Sequence, residues 1–78
     1  MNVTTTSFSA ENLKRGDIIE LGIQCGFAIT FKFVKLESVT IGIENGKPFV
    51  RCGYTVPLSK KKAIQEFKPQ DKVTVMVL

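Results

Sequence analysis

Val39-Thr40-Ile41-Gly42-Ile43-Glu44-Asn45-Gly46-Lys47-Pro48-Phe49-Val50-Arg51-Cys52-Gly53-Tyr54-Thr55-Val56 decides the fold. Asn45-Gly46 is a dipeptide that accepts positive φ at both central positions of a two-residue turn, which the twist of a β-hairpin demands. Before it, Val39, Ile41 and Ile43 alternate with Thr40, Gly42 and Glu44; after it, Val50, Cys52, Tyr54 and Val56 alternate with Phe49, Arg51, Gly53 and Thr55. Period two on both sides of a turn predicts a hairpin with one buried face. The alternation also fixes register, because a one-residue slip would turn the apolar set to water.

Outward from this hairpin, the same period recurs. Ile19, Leu21 and Ile23 alternate with Glu20 and Gly22, a turn is expected at Gln24-Cys25-Gly26, and Phe27, Ile29, Phe31 and Phe33 predict a second strand with an aromatic inner face. Parity slips at Phe33-Val34, since Val34 and Leu36 fall opposite to Phe33, so a β-bulge is expected there. Upstream, Thr4 to Ser7 read as a loose lead-in. Ser9 as N-cap, Glu11 in the first turn, a Phe8/Leu13 staple and Gly16 past the end predict a short helix. Downstream, a tight turn over Ser59, Lys60, Lys61 and Lys62 precedes a short strand from Ala63 to Phe67. A helix there would set three lysines against its own positive end. After Pro69-Gln70-Asp71, Val73, Val75 and Val77 alternate with Thr74, Met76 and Leu78 in a last strand, apolar on both faces.

The expected class is mainly β: one domain over residues 1–78, a small, strongly bent antiparallel β-barrel with a short N-terminal helix. A chain of 78 residues buries only about 60% of its unfolded surface. With 44% apolar residues it has material to bury by association, so a homo-oligomer is expected. The two-sided last strand, through Val73, Val75, Met76 and Val77, is the expected subunit interface. No stretch is apolar enough to span a membrane and Met1-Asn2-Val3 does not begin a signal peptide, so a cytoplasmic location is expected. Cys25 and Cys52 then read as free thiols.

Histidine is absent, and neither Cys-x-x-Cys nor a carboxylate cluster at ligand spacing occurs, so no metal site, no cofactor and no enzymatic activity is expected. Charge is unevenly divided. Residues 1–46 carry four cations against five carboxylates (net −1), residues 47–78 seven against two (net +5). A basic second half suits an anionic partner, or serves solubility alone. The candidate contacts are Lys60, Lys61 and Lys62, with Tyr54 or Phe49 as a stacking ring and Arg51 as a further cation.

The order of a short helix, bent strands, a hairpin and a basic turn leading into Ala-Ile resembles the Sm-like family. Lys61-Lys62-Ala63-Ile64 is similar to the basic-His-Ala-Ile segment of the second Sm motif in its bacterial Hfq branch, with Lys62 in place of the histidine. Where the family carries an acidic residue near the end of the second strand, this chain has Lys35, or Glu37 two residues later. The resemblance spans roughly residues 9–69. It implies a homo-oligomeric ring binding RNA or single-stranded nucleic acid, with Lys61 and Lys62 on the pore rim, in RNA metabolism or post-transcriptional regulation. Gly16-Asp17-Ile18-Ile19-Glu20-Leu21-Gly22 and Val39-Thr40-Ile41-Gly42-Ile43 also resemble segments of the CsrA-type translational regulators, dimers that bind messenger RNA. The alternative is an oligomeric protein-interaction or structural module without a nucleic-acid ligand.

Overall fold

A computed structural model describes residues 3–77. Met1, Asn2 and Leu78, which the signal-peptide and last-strand readings include, lie outside the described residues. Seven strands follow one another: β1 (Thr4–Ser9), β2 (Ile18–Cys25), β3 (Ala28–Lys35), β4 (Ser38–Glu44), β5 (Lys47–Thr55), β6 (Lys62–Phe67) and β7 (Lys72–Val77). They form two antiparallel sheets, β1-β7-β2-β3 and β4-β5-β6. The pairing does not close into one barrel: among the described strands β1, β3, β4 and β6 end their sheets.

The central hairpin has the predicted register. Asn45 (φ 51°) and Gly46 (φ 76°) make the turn, and Ile41 pairs with Val50, Val39 with Cys52. Gly53 accepts the Glu37 N–H at 2.8 Å while pairing with Ser38, so two residues face one at the entry to β4. This two-against-one step bends the chain between the sheets. It lies three residues beyond Phe33-Val34, where β2 and β3 pair without interruption from Ile18–Lys35 to Cys25–Ala28. The β2–β3 turn is Gly26-Phe27, with Gly26 at φ 62°.

The predicted N-terminal helix is replaced by a single 3-10 turn, Ala10–Asn12, which Ser9 does not cap through its side chain. The competitor is β1. Thr4 to Ser9 pair with Val77 to Lys72, so Phe8 and Ser9 are committed to a strand. The next two N–H groups, of Ala10 and Glu11, donate to the Asp71 and Pro69 carbonyls at 2.8 and 3.1 Å. Donors that would open a helix are thereby satisfied by the β6–β7 turn.

Between the sheets lies a core of Ala10, Leu13, Ile19, Leu21, Val34, Leu36, Val50, Cys52, Tyr54, Val73 and Val75. Ile19, Leu36 and Val50 are fully buried, each worth roughly 1.5–3 kcal/mol of transfer free energy. The aromatic face of β3 is not part of it. Ile19 pairs with Val34 and Leu21 with Lys32, whereas Phe31 pairs with Gly22 and Ile29 with Gln24. Antiparallel partners share a face, so the side of β2 that feeds the core brings in Val34 and leaves Ile29 and Phe31 outside. A Cβ on Gly22 would lie 3.0 Å from Ile29 Cγ2 and 3.3 Å from Phe31, so these side chains lie over the glycine. The radius of gyration, 12.8 Å, exceeds the roughly 11.5 Å of a compact chain of this length. Part of the chain therefore extends beyond the core. Among the described residues no helix is long and apolar enough to cross a membrane.

Candidate functional site

The basic turn links β5 to β6. Val56 donates to the Lys61 carbonyl and accepts from Lys60, both at 2.8 Å, and Lys60 takes φ 60°. This tight closure turns Lys60 and Lys61 outward, and both are exposed. Lys62, one residue on, begins β6 on the outer face opposite Thr55. Its Nζ donates to Glu37 Oε1 at 2.7 Å and to Thr55 Oγ1 at 2.9 Å, while the Thr55 hydroxyl donates to Glu37 Oε2 at 2.6 Å. The Lys62 and then the Thr55 hydrogen bonds hold the Glu37 carboxyl below its usual range. Of the three lysines, two keep charge unopposed by any carboxylate within ion-pair distance among the described residues.

Arg51 is engaged in the same way. It lies on the outer face of β5, opposite Glu66 of β6. Its Nη2 reaches Glu66 Oε2 at 3.0 Å and Glu44 Oε2 at 3.3 Å. Its guanidinium lies 4.3 Å from the centre of the Phe49 ring. Glu66, then Glu44, raise its pKa above the ordinary arginine value. Phe49 itself covers Gly42, where a Cβ would come within 2.7 Å of its Cζ. Arginine, ring and glycine form one cross-strand stack on the outer face of β4–β5.

Tyr54 is buried in the core, so its ring is not presented to a nucleobase. Val73 and Val75 are also core residues, and β7 runs between β1 and β2, with Val75 opposite Ile19. Met76 is half-buried and Val77 exposed, at the open end of the same strand. A groove of about 450 Å³ beside the basic turn is lined by Glu37, Ser38, Gly53, Lys62, Ala63, Ile64 and the small exposed part of Tyr54. Its carboxylate is one the sequence reading had not connected with the lysines. Burial raises the Cys52 thiol pKa, and Cys25 is half-buried; both are free thiols.

What sequence reading missed is apolar. Ile41 and Ile43 share the core-side face of their sheet with Val50, yet are 58% and 75% exposed. Ile29 and Phe31 are 66% and 68% exposed, and Phe27 at the β2–β3 turn is fully exposed. The available signal was position. β3 carries strong alternation but turns Ile29 and Phe31 to the outer face, and β4 ends its sheet, so Ile41 and Ile43 have no further strand beside them among the described residues. No family model, curated protein or solved structure matches this chain.

Proposed function

We propose that this chain is a self-associating β-module, an oligomeric protein-interaction or structural unit whose contacts are the unpaired edges of β3 and β4. One observation carries the reading: Ile29, Phe31, Ile41 and Ile43 are 58–75% exposed on strands with a free hydrogen-bonding edge. Exposed apolar side chains beside unpaired backbone groups favour association with another chain. In this proposal the open Sm-like or SH3-like barrel is completed by a neighbour, in the cytoplasm, where Cys25 and Cys52 stay reduced. The test is solution mass by light scattering over a wide concentration range. An assembly larger than one chain is expected; a monomer at every concentration refutes the reading.

A second reading, RNA or single-stranded nucleic-acid binding by an Sm-like ring, is favoured by Lys60 and Lys61, which are exposed and unopposed. Repeated around an assembly, two such lysines per chain would concentrate positive charge on one rim. Against it stand the burial of Tyr54 and the carboxylate partners of Arg51 and Lys62. Oligo-uridine binding at low and physiological salt decides. The nucleic-acid reading requires affinity that falls steeply with salt and is lost in a Lys60→Ala/Lys61→Ala variant of unchanged mass. Without such affinity the assembly reading stands alone.

A further inference from the structure

We propose that the partner at the β4 edge is a second copy of this chain, paired antiparallel with its own β4 about a two-fold axis that passes between the two copies of Ile41. This rests on the self-associating reading above and specifies its contact.

The four sheet edges are not equivalent. β1 exposes Thr4, Thr5, Thr6 and Ser7; β3 carries Lys32 on its core-side face; β6 carries Lys62 and Glu66. Charges, lysine above all and inward-facing ones in particular, guard an edge against pairing, and an uncharged Thr/Ser run such as that of β1 offers a partner little apolar surface. β4, Ser38-Val39-Thr40-Ile41-Gly42-Ile43-Glu44, has no lysine and no proline. Its single charge, Glu44, is held by Arg51 on the outer face. β1 carries no charge either, and Lys62 and Glu66 of β6 are themselves ion-paired to Glu37 and Arg51, so what sets β4 apart among the described edges is that two isoleucines on its core-side face are exposed.

Backbone geometry then sets the register. The two-residue turn closes on the Glu44–Lys47 pair, which exchanges hydrogen bonds in such a hairpin, and bonded and non-bonded pairs alternate from there. Ser38, Thr40, Gly42 and Glu44 therefore bond to β5, while the N–H and C=O groups of Val39, Ile41 and Ile43 point to the free edge. A two-fold axis normal to the sheet keeps each face on its own side. A register centred on Ile41 pairs all seven residues of β4. It sets Ile41 against its own copy, Ile43 against the copy's Val39, Thr40 against Gly42 and Ser38 against Glu44. Apolar meets apolar on the core-side face, and the two Glu44 carboxylates lie at opposite ends. Every register displaced from this one leaves part of the strand unpaired.

Disulfide trapping tests it. Ser38 and Glu44 form a non-hydrogen-bonded pair in this register, with the close approach that a disulfide needs. Within one chain they are six residues apart on an extended strand, about 20 Å, which forbids an internal bridge. On a Cys25→Ser background, the Ser38→Cys/Glu44→Cys variant should convert mostly to covalent dimer under mild oxidation, and Thr40→Cys should not. Adding Ile41→Lys to the double-cysteine variant should abolish the trapping, with circular dichroism checking that the fold is kept. A Thr40→Cys dimer in place of the Ser38/Glu44 one would mean a slipped register and overturn the proposal. So would trapping that persists with Ile41→Lys, which would mark random collision. Capture of an added cysteine-bearing Thr-Val octapeptide without self-trapping would assign the edge to a different partner. A protein of oligomeric mass with no trapping would overturn this contact and leave the self-associating reading intact, whereas a strict monomer would remove both.

Discussion

β2 and β4 carry nearly the same pattern and meet opposite fates. Ile19, Leu21 and Ile23 in β2 match Val39, Ile41 and Ile43 in β4, and each strand has one glycine among its intervening residues. Ile19 is fully buried and Leu21 nearly so, whereas Ile41 and Ile43 are mostly exposed. The difference is place in the sheet. β2 runs between β7 and β3, while β4 has β5 on one side and no strand of the described residues on the other. Periodicity decides which side chains share a face, and neighbours decide whether that face is dry.

Substitution of like residues in the two strands sharpens this contrast. Ile19→Ala should cost about 2–5 kcal/mol in denaturant unfolding, the range for a large aliphatic side chain removed from a filled core. The two glycines come next. Gly42→Ala pushes a methyl against Phe49 Cζ at 2.7 Å, and that ring is half-buried and stacked on Arg51. It should therefore destabilise by about 1–3 kcal/mol, as overpacking does. Gly22→Ala meets Ile29 Cγ2 at 3.0 Å, but Ile29 is exposed and free to change rotamer. Thermal unfolding should place it within about 0.5 kcal/mol of wild type. Equal losses at the two glycines would contradict the account of the outer faces.

The smallest effect concerns Glu37. Its folded-state pKa is lowered by Lys62 and Thr55, so its contribution to stability is present above the ordinary carboxylate range and lost as pH falls through the lowered value. Wild type should lose stability on acidification slightly more steeply than Glu37→Gln. The group is exposed, so the change should be small; identical pH profiles would show that the Lys62–Glu37–Thr55 triangle contributes nothing measurable.

Local chemistry made parts of the fold readable in advance. Asn45-Gly46 specified a turn type, and with it the register of β4 and β5; Pro69-Gln70-Asp71 marked the break before β7. β1 was not readable, because Thr4 to Ser9 acquire strand structure only from partners some seventy residues away. The same pairing withdrew Ser9 from the helix its neighbours suggested. Phe31 and Ile29 were misplaced because alternation gives a period and not a sign. Only the pairing of Ile19 with Val34 says which face of β3 looks inward.

The candidate site was readable as a set of residue types and, as an arrangement, only in the cross-strand pairing of Arg51 with Glu44, which the alternation of the hairpin suggests. Lys60, Lys61, Lys62 and Arg51 are conspicuous as cations in a chain short of carboxylates beyond residue 46. Lys62 is paired with Glu37, and Arg51 with Glu66 of its own half and with Glu44; Glu37 and Glu44 are brought in from the acidic first half by sheet pairing. Tyr54 occupies an alternating position that suited either a stacking ring or a core residue, and its side chain is in the core.

The most direct test of the central claim is light-scattering mass against concentration for wild type and Ile41→Lys. Ile41 is exposed enough that a lysine should shift unfolding stability by no more than about 0.5 kcal/mol. Wild type is expected to assemble, and Ile41→Lys to lose that assembly while remaining folded. Equal masses for the two proteins across the series would contradict a contact built on the β4 edge.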